Sequence, residues 1–269
     1  MRRKKIAGSI LILTIVAACV TTPVSNRPAL ILIPMSQETA LGLQSYKEVL
    51  GKEKASQDPR LNAIVQRVAH RIAAVSAMPG LNWEAKLFES KQQNAFALPG
   101  GKIAVYTGIL PVCANEAGLA AVLSHEVSHV IARHGAQRMS QQLIVSGALA
   151  AASVSLATHR DRDLILGALG VGAVYGITLP FSRSDESEAD SIGLVYMARA
   201  GYDPNVALNF WMRFASAQKG PRPAEFLSTH PADETRILQI KHHLRQALIE
   251  YDRAPEKLGI GEEFHLSPP

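Results

Sequence analysis

Ser124-His125-Glu126-Val127-Ser128-His129 is the stretch whose reading decides the fold. On a helix, His125 and His129 lie one turn apart on the same face. Two imidazoles so placed can ligate one zinc ion, and Glu126 beside them can act as a general base. The flanks favour a helix. Asn115 can cap its start. Leu119, Val122, Leu123, Val127, Val130 and Ile131 recur at helical spacing, and Gly135 offers a stop or bend. The competing reading is a buried helix whose histidines fall in this register by chance. An apolar, Ala-rich helix has little use for two histidines and a glutamate on a core-facing stripe, because buried polar groups must find partners.

A catalytic zinc usually takes three protein ligands and leaves a fourth position open. The acids of Ser182-Arg183-Ser184-Asp185-Glu186-Ser187-Glu188-Ala189-Asp190 compete for the third place. Glu186 has Asp190 at i+4, on the same helical face, whereas Glu188 has Ile192 there and Asp185 has Ala189. Only Glu186 therefore brings a second carboxylate toward the site. Asp190 can then accept the free ring N–H of a ligand histidine. A plain solvated helix start would also collect acids near its positive dipole end.

Ser228-Thr229-His230-Pro231 comes last. Pro231 fits a first helical position, with Asp233 and Glu234 in the first turn. His230 then sits at the N-cap, where the dipole disfavours its charged form. A neutral imidazole there can bind zinc, donate to an oxyanion, or simply cap a helix; the residues leave the three open.

Upstream, the chain reads as a leader, a tether and a domain. Arg2, Arg3, Lys4 and Lys5 precede the apolar run Ile6 to Val16, which is too short for a comfortable membrane span. Val16-Ala17-Ala18-Cys19 resembles a bacterial lipobox, which implies cleavage before Cys19, lipidation of its sulfur and contact with a lipid bilayer. Val20 follows instead of Asp, so the expected address is the periplasmic side of a bacterial envelope, as an outer-membrane lipoprotein. The formal net charge is +5, and the four leader cations account for all but about +1 of it, so the charge gives no argument for nucleic acid. Of the two cysteines, Cys19 is assigned to lipid, which leaves Cys113 without a disulfide partner.

The expected domains are a lipoprotein signal peptide over 1–18, a lipid-anchored tether over 19–35, a zinc metallopeptidase domain over 36–250 and a loose C-terminal tail over 251–269. Helices are predicted from Ser36 to about Lys54 and from Asp58-Pro59, the second with Leu61, Ile64, Val65, Val68, Ile72 and Val75 as its buried stripe. Strands are predicted over Trp83 to Phe88, Asn94 to Leu98 and Lys102 to Thr107, the last two joined at Pro99-Gly100-Gly101. An exposed edge in that small sheet can pair with an extended peptide. Leu143 to Thr158 and Leu164 to Leu179 read as a helical hairpin packed on the domain, or as one that dips into a membrane.

Four blocks occur in order: Asn94-Ala95-Phe96-Ala97-Leu98-Pro99-Gly100-Gly101, His125-Glu126-x-x-His129, Ser182-Arg183 with Glu186-x-Glu188-Ala189-Asp190, and Ser228-Thr229-His230-Pro231 with Arg236. Together, over roughly Met35 to Leu248, they resemble the gluzincin peptidases related to the CAAX prenyl protease and the heat-shock protease HtpX, and look nearest to the periplasmic bacterial members. The resemblance implies an α+β, predominantly helical, zincin-like peptidase domain with a small sheet packed against the metal-binding helix. It implies one Zn2+ per chain on His125, His129 and Glu186, with Glu126 catalytic and His230 near the metal, contacting substrate or blocking the site. It implies polypeptide substrates, such as misfolded or unassembled envelope proteins, lying along Asn94, Ala95, Phe96 and Ala97. Asp190 and Arg236 are then supports behind the ligands. The alternative is a chaperone-like peptide-binding module with a plugged metal site.

Overall fold

The computed structural model describes residues 19–22, 25–155, 182–216, 226, 230 and 234–264. Strands β1 (Cys19–Thr21) and β2 (Pro28–Leu30) form an N-terminal hairpin. Helices α1 (Met35–Lys52) and α2 (Pro59–Val75) follow. Next come β3 (Glu84–Phe88), β4 (Ala95–Leu98) and β5 (Lys102–Tyr106), then a short α3 (Leu110–Cys113). The remaining helices are α4 (Glu116–Ile131), α5 (His134–Ser155), α6 (Arg183–Arg199), α7 (Asn205–Ser216) and α8 (Glu234–Arg253). The fold is predominantly helical α+β, as expected, with a small sheet beside helix α4.

Local chemistry explains most of these elements. Asp58 caps α2 by accepting from Leu61 N–H at 2.9 Å, with Pro59 at the first helical position. Its buried face carries Leu61, Ile64, Val65, Val68 and Ile72. Each such side chain contributes about 1.5–3 kcal/mol when taken out of water. Gly100 and Gly101 sit at φ 87° and 83°, in the left-handed region where a side chain is strained, and they close the β4–β5 hairpin. The sheet order is β3-β5-β4, with β3 parallel and β4 antiparallel to β5. β4 is therefore an edge strand, and it packs against α4.

Helix α4 is buried along its whole length, between α6, α2 and β4. Asn115 caps it by accepting from Gly118 N–H at 2.9 Å. Its crossing with α6 is close: a Cβ on Gly193 would stand 3.0 Å from His125 N and 3.2 Å from His125 Cα. The absence of a side chain at 193 is what lets helices α4 and α6 approach.

Two expectations about the ends of the domain need correction. The expected tether over 19–35 is docked on the domain along residues 29–33. Ala29, Ile31 and Ile33 are buried, Leu32 N–H donates to Ser140 Oγ at 2.8 Å, and Arg133 donates to Ile33 O at 2.8 Å. Residues 254–264 are not a loose tail. Ile260 and Glu262 offer their carbonyls to Ala117 N–H at 3.0 Å and Glu116 N–H at 2.9 Å, and Phe264 N–H donates to Ala114 O at 2.8 Å. The first N–H groups of any helix lack partners within it, and here an aperiodic segment supplies them. No periodicity announces that kind of packing.

The described part of the run from Leu143, up to Ser155, falls within α5, and three of its large apolar residues are open: Leu143, Ile144 and Val154 are 56%, 46% and 78% exposed, so these side chains are not packed on the described part of the domain. The rest of the expected hairpin, over 156–181, lies outside the described residues, as does the leader over 1–18. No helix among the described residues is long and apolar enough to cross a membrane. Cys113 is buried with a free thiol, whose pKa burial pushes upward.

Candidate metal centre and active site

Helix α4 carries His125, Glu126 and His129, and α6 carries Glu186 and Asp190, with all five side chains buried. The α4–α6 crossing brings Glu186 against both histidines. His125 Nε2 lies 3.1 Å from His129 Nε2 and 3.4 Å from Glu186 Oε2, and His129 Nε2 lies 3.4 Å from Glu186 Oε1. His230 adds its Nδ1, 3.2 Å from His125 Nε2 and 2.9 Å from Glu186 Oε1.

These residues fit a zinc ion. A tetrahedron built on zinc bonds of about 2.0–2.1 Å has edges of about 3.3 Å, which is the spacing among these ligand atoms. The donor set is all nitrogen and carboxylate oxygen, in a buried place where such groups have no other reason to converge. Glu126 supplies a further observation. Its Oε1 is buried without a hydrogen-bond partner and lies 3.3 Å from His230 Nε2, outside hydrogen-bond geometry. Its Oε2 accepts from Ala97 N–H at 3.4 Å, which ties the glutamate to the edge strand.

Each ligand histidine is held from behind. His125 Nδ1 lies 2.9 Å from Asp190 Oδ1. Arg236, from α8, clamps Asp190 at 2.7 and 2.8 Å and reaches Glu186 Oε2 at 2.9 Å, with its guanidinium 3.5 Å from the centroid of the Trp211 ring. One buried cation thus holds two buried carboxylates. His129 is held by His134, Nδ1 to Nδ1 at 2.8 Å. Sequence reading missed His134. Its spacing from His129 carries no helical signature, because Ala132 and Arg133 break the helix between them and Arg133 sits at φ 56°.

Electrostatics follow from this packing. Burial alone would raise the Glu186 carboxyl, but hydrogen bonds from His125, His129 and His230 outweigh it and hold the group well below the usual carboxylate range. Burial disfavours a charged His125, yet Asp190 and Glu186 push its pKa up to about 9. His129 goes the other way, kept neutral by burial and by the charge on His125. Burial pushes the Glu126 carboxyl up, the direction that suits a proton acceptor working near neutral pH.

The structure therefore gathers His125, Glu126, His129, Glu186, Asp190, His230 and Arg236 at one centre. Ala97 joins it through Glu126, while Asn94, Ala95 and Phe96 continue along the edge strand and its approach. Glu188 points elsewhere, to His134, Thr22 and Arg27. A groove of about 340 Å³, lined in part by Leu41, Leu98, Pro99, Arg138 and Met139, opens at the hairpin end of β4.

Fold and site define a metalloendopeptidase. The chain belongs to peptidase family M48, whose description matches residues 57–244 and whose members are zinc metalloproteases. It is 40% identical over 235 residues to the mitochondrial metalloendopeptidase OMA1 of Schizosaccharomyces pombe, covering 85% of this chain and 67% of that one. It is 32% identical over 251 residues to OMA1 of Saccharomyces cerevisiae, covering 86% and 71%. A putative beta-barrel assembly-enhancing protease of Vibrio cholerae is 29% identical over 241 residues, which is 87% of this chain and 48% of that protein. The expectation of a bacterial outer-membrane lipoprotein is overturned here: the relatives at 40% and 32% identity are mitochondrial, and the bacterial one is less similar. A leader read in isolation misled, because short charged and apolar segments recur across targeting systems.

Proposed function

We propose that this chain cleaves unfolded or unassembled polypeptides as a zinc-dependent endopeptidase, with one zinc held by His125, His129 and Glu186. The observation that carries this reading is the match between the 3.1–3.4 Å spacings of those three side chains and a zinc tetrahedron. When bound, zinc would supply a Lewis acid that lets water ionise near neutral pH. The chain's own groups do the rest. Glu126 takes the proton of the attacking water on Oε1, which accepts no hydrogen bond, and later delivers it to the leaving amine. Asp190 and Arg236 fix the ring of His125. The edge of β4 would align an extended substrate, and an edge that reads backbone suits unfolded chains of varied sequence.

The test is direct. Purified wild type should hold about one zinc per chain and cut casein. Glu126→Gln should keep the zinc and lose at least 10²-fold in turnover. Zinc-free material with full activity would end this reading.

A second reading is favoured by His230. Its Nδ1 stands 2.9 Å from Glu186 and 3.2 Å from His125, where a fourth ligand would sit. A site so filled is latent, and peptide binding without cleavage becomes the main activity.

A further inference from the structure

The N-terminal hairpin reaches the metal centre through a chain of side chains, buried at His129, His134 and Glu188 and part-exposed at Arg27, that the peptidase reaction does not itself require. Helix α4 ends at Ile131, and the reversal at Ala132 and Arg133 swings His134 back beneath His129. His134 is fully buried, and its ring meets that of His129 edge to face, 4.8 Å between centroids. The 2.8 Å contact between the two Nδ1 atoms needs one donor and one acceptor. A His129 that ligates through Nε2 must carry its proton on Nδ1, so it donates and His134 Nδ1 accepts. His134 then carries its own proton on Nε2, which faces Glu188 Oε2 at 3.2 Å. The tautomers follow from the network, and every proton in it has an acceptor.

Glu188 is in turn gripped from the N-terminal hairpin. Thr22 Oγ1 donates to it at 2.7 Å, and Ser25 Oγ and Arg27 Nε donate as well. Arg27 Nη2 extends to Asp185 Oδ1 and Gln137 Oε1, each at 3.0 Å. The turn that presents His134 is clasped from the same side: Arg133 binds Ile33 O at 2.8 Å and Glu38 Oε2 at 2.7 Å. His129, His134, Glu188 and Arg27 therefore form one continuous line from metal ligand to hairpin.

We propose that His134 is a positioning residue for His129, and that the N-terminal hairpin, through Arg27 and Glu188, sets how tightly the centre holds zinc. The inference rests on His129 being a zinc ligand, as proposed above. A partner that orients a ligand histidine fixes its ring and raises its basicity, and losing such a partner costs about 10–100-fold in metal affinity. The hairpin thereby becomes a control element: lifting it would free Glu188, let His134 turn, and loosen His129 without touching any ligand.

The experiment measures zinc affinity by chelator competition on full-length apoprotein, independently of peptidase activity. His134→Phe should weaken zinc about 10–100-fold. His134→Gln, whose amide oxygen can still accept from His129, should recover part of the loss. Arg27→Met should weaken zinc in the same direction by less, because Thr22 and Ser25 still hold Glu188. Arg27→Lys should fall between, since a lysine cannot fork to Glu188, Asp185 and Gln137 together. Wild-type affinity in folded His134→Phe would overturn the positioning role. Wild-type affinity in Arg27→Met would overturn the hairpin's control. If His134→Phe fails to fold, Arg27→Met decides, since the Arg27 side chain is 31% exposed and its replacement is tolerable. Glu186→Ala serves as the reference: should it bind zinc like wild type, the ligand assignment itself fails, whatever the His134 variants do.

Discussion

Ala97 N–H donates to Glu126 Oε2 at 3.4 Å, so the edge strand and the metal helix meet at the glutamate that would take a proton from water. Cleavage and substrate alignment are thereby referred to one point. Phe96 and Leu98 pair with Ala104 and Lys102 of β5, while Ala97 turns its N–H outward. Proline is tolerated at an edge position whose N–H faces away from the sheet. Ala97→Pro should therefore fold and keep zinc, but lose about tenfold in kcat/KM on an extended peptide, because Glu126 Oε2 loses the hydrogen bond that ties it to the strand. Steady-state kinetics beside zinc analysis decides it. Unchanged kinetics would show that Glu126 works without its tie to this strand.

His230 is the sharpest discriminator between an active and a latent centre. Its Nδ1 shares the ligand cluster with His125, His129 and Glu186. We expect His230→Ala to retain zinc and to cut casein faster than wild type, because a competing fourth ligand is gone. A fall of about 10²–10³-fold would make His230 an oxyanion donor instead, and initial rates on casein separate the two.

Arg236 is buried with Asp190 and Glu186, and burial alone would raise the Asp190 carboxyl, but the Arg236 charge outweighs it and keeps the group ionised. Arg236→Met removes the guanidinium that binds both buried carboxylates and leaves His125 as the cation beside them. The expected loss is about 3–5 kcal/mol in denaturant unfolding of the metal-free protein. Lysine should not restore it, because the bidentate fork to Asp190 is lost. A loss under about 1 kcal/mol would mean that His125, not Arg236, satisfies the pair.

Gly193 tests whether the helix crossing sets the site. Gly193, Asp190 and Glu186 share one face of α6, and a Cβ at 193 already meets His125 backbone at 3.0 Å. Gly193→Val should cost about 1–3 kcal/mol through overpacking. It should also weaken zinc by pushing Glu186 away from both histidines. Chelator competition and thermal unfolding measure the two effects, and a stability loss with unchanged zinc affinity would show that the helices separate without moving Glu186.

Much of this protein is written locally in its sequence. The apolar stripe of α2, its Asp58 cap and the Gly100-Gly101 turn follow from side-chain periodicity and backbone preference, which act over a few residues. The pairing of Glu186 with Asp190 on one helical face is of the same kind, because i+4 spacing is a property of the helix alone. Tertiary structure decided the rest. The parallel pairing of β3 with β5, the capping of α4 by residues 260–262 and the docking of 19–33 all join groups far apart in the chain. Polar groups left unpaired by one element are satisfied by whichever distant segment arrives, and nothing in the local pattern of either partner records the meeting. His134 belongs here too: a five-residue separation across a broken helix encodes no contact, and only the left-handed turn at Arg133 brings its ring to His129.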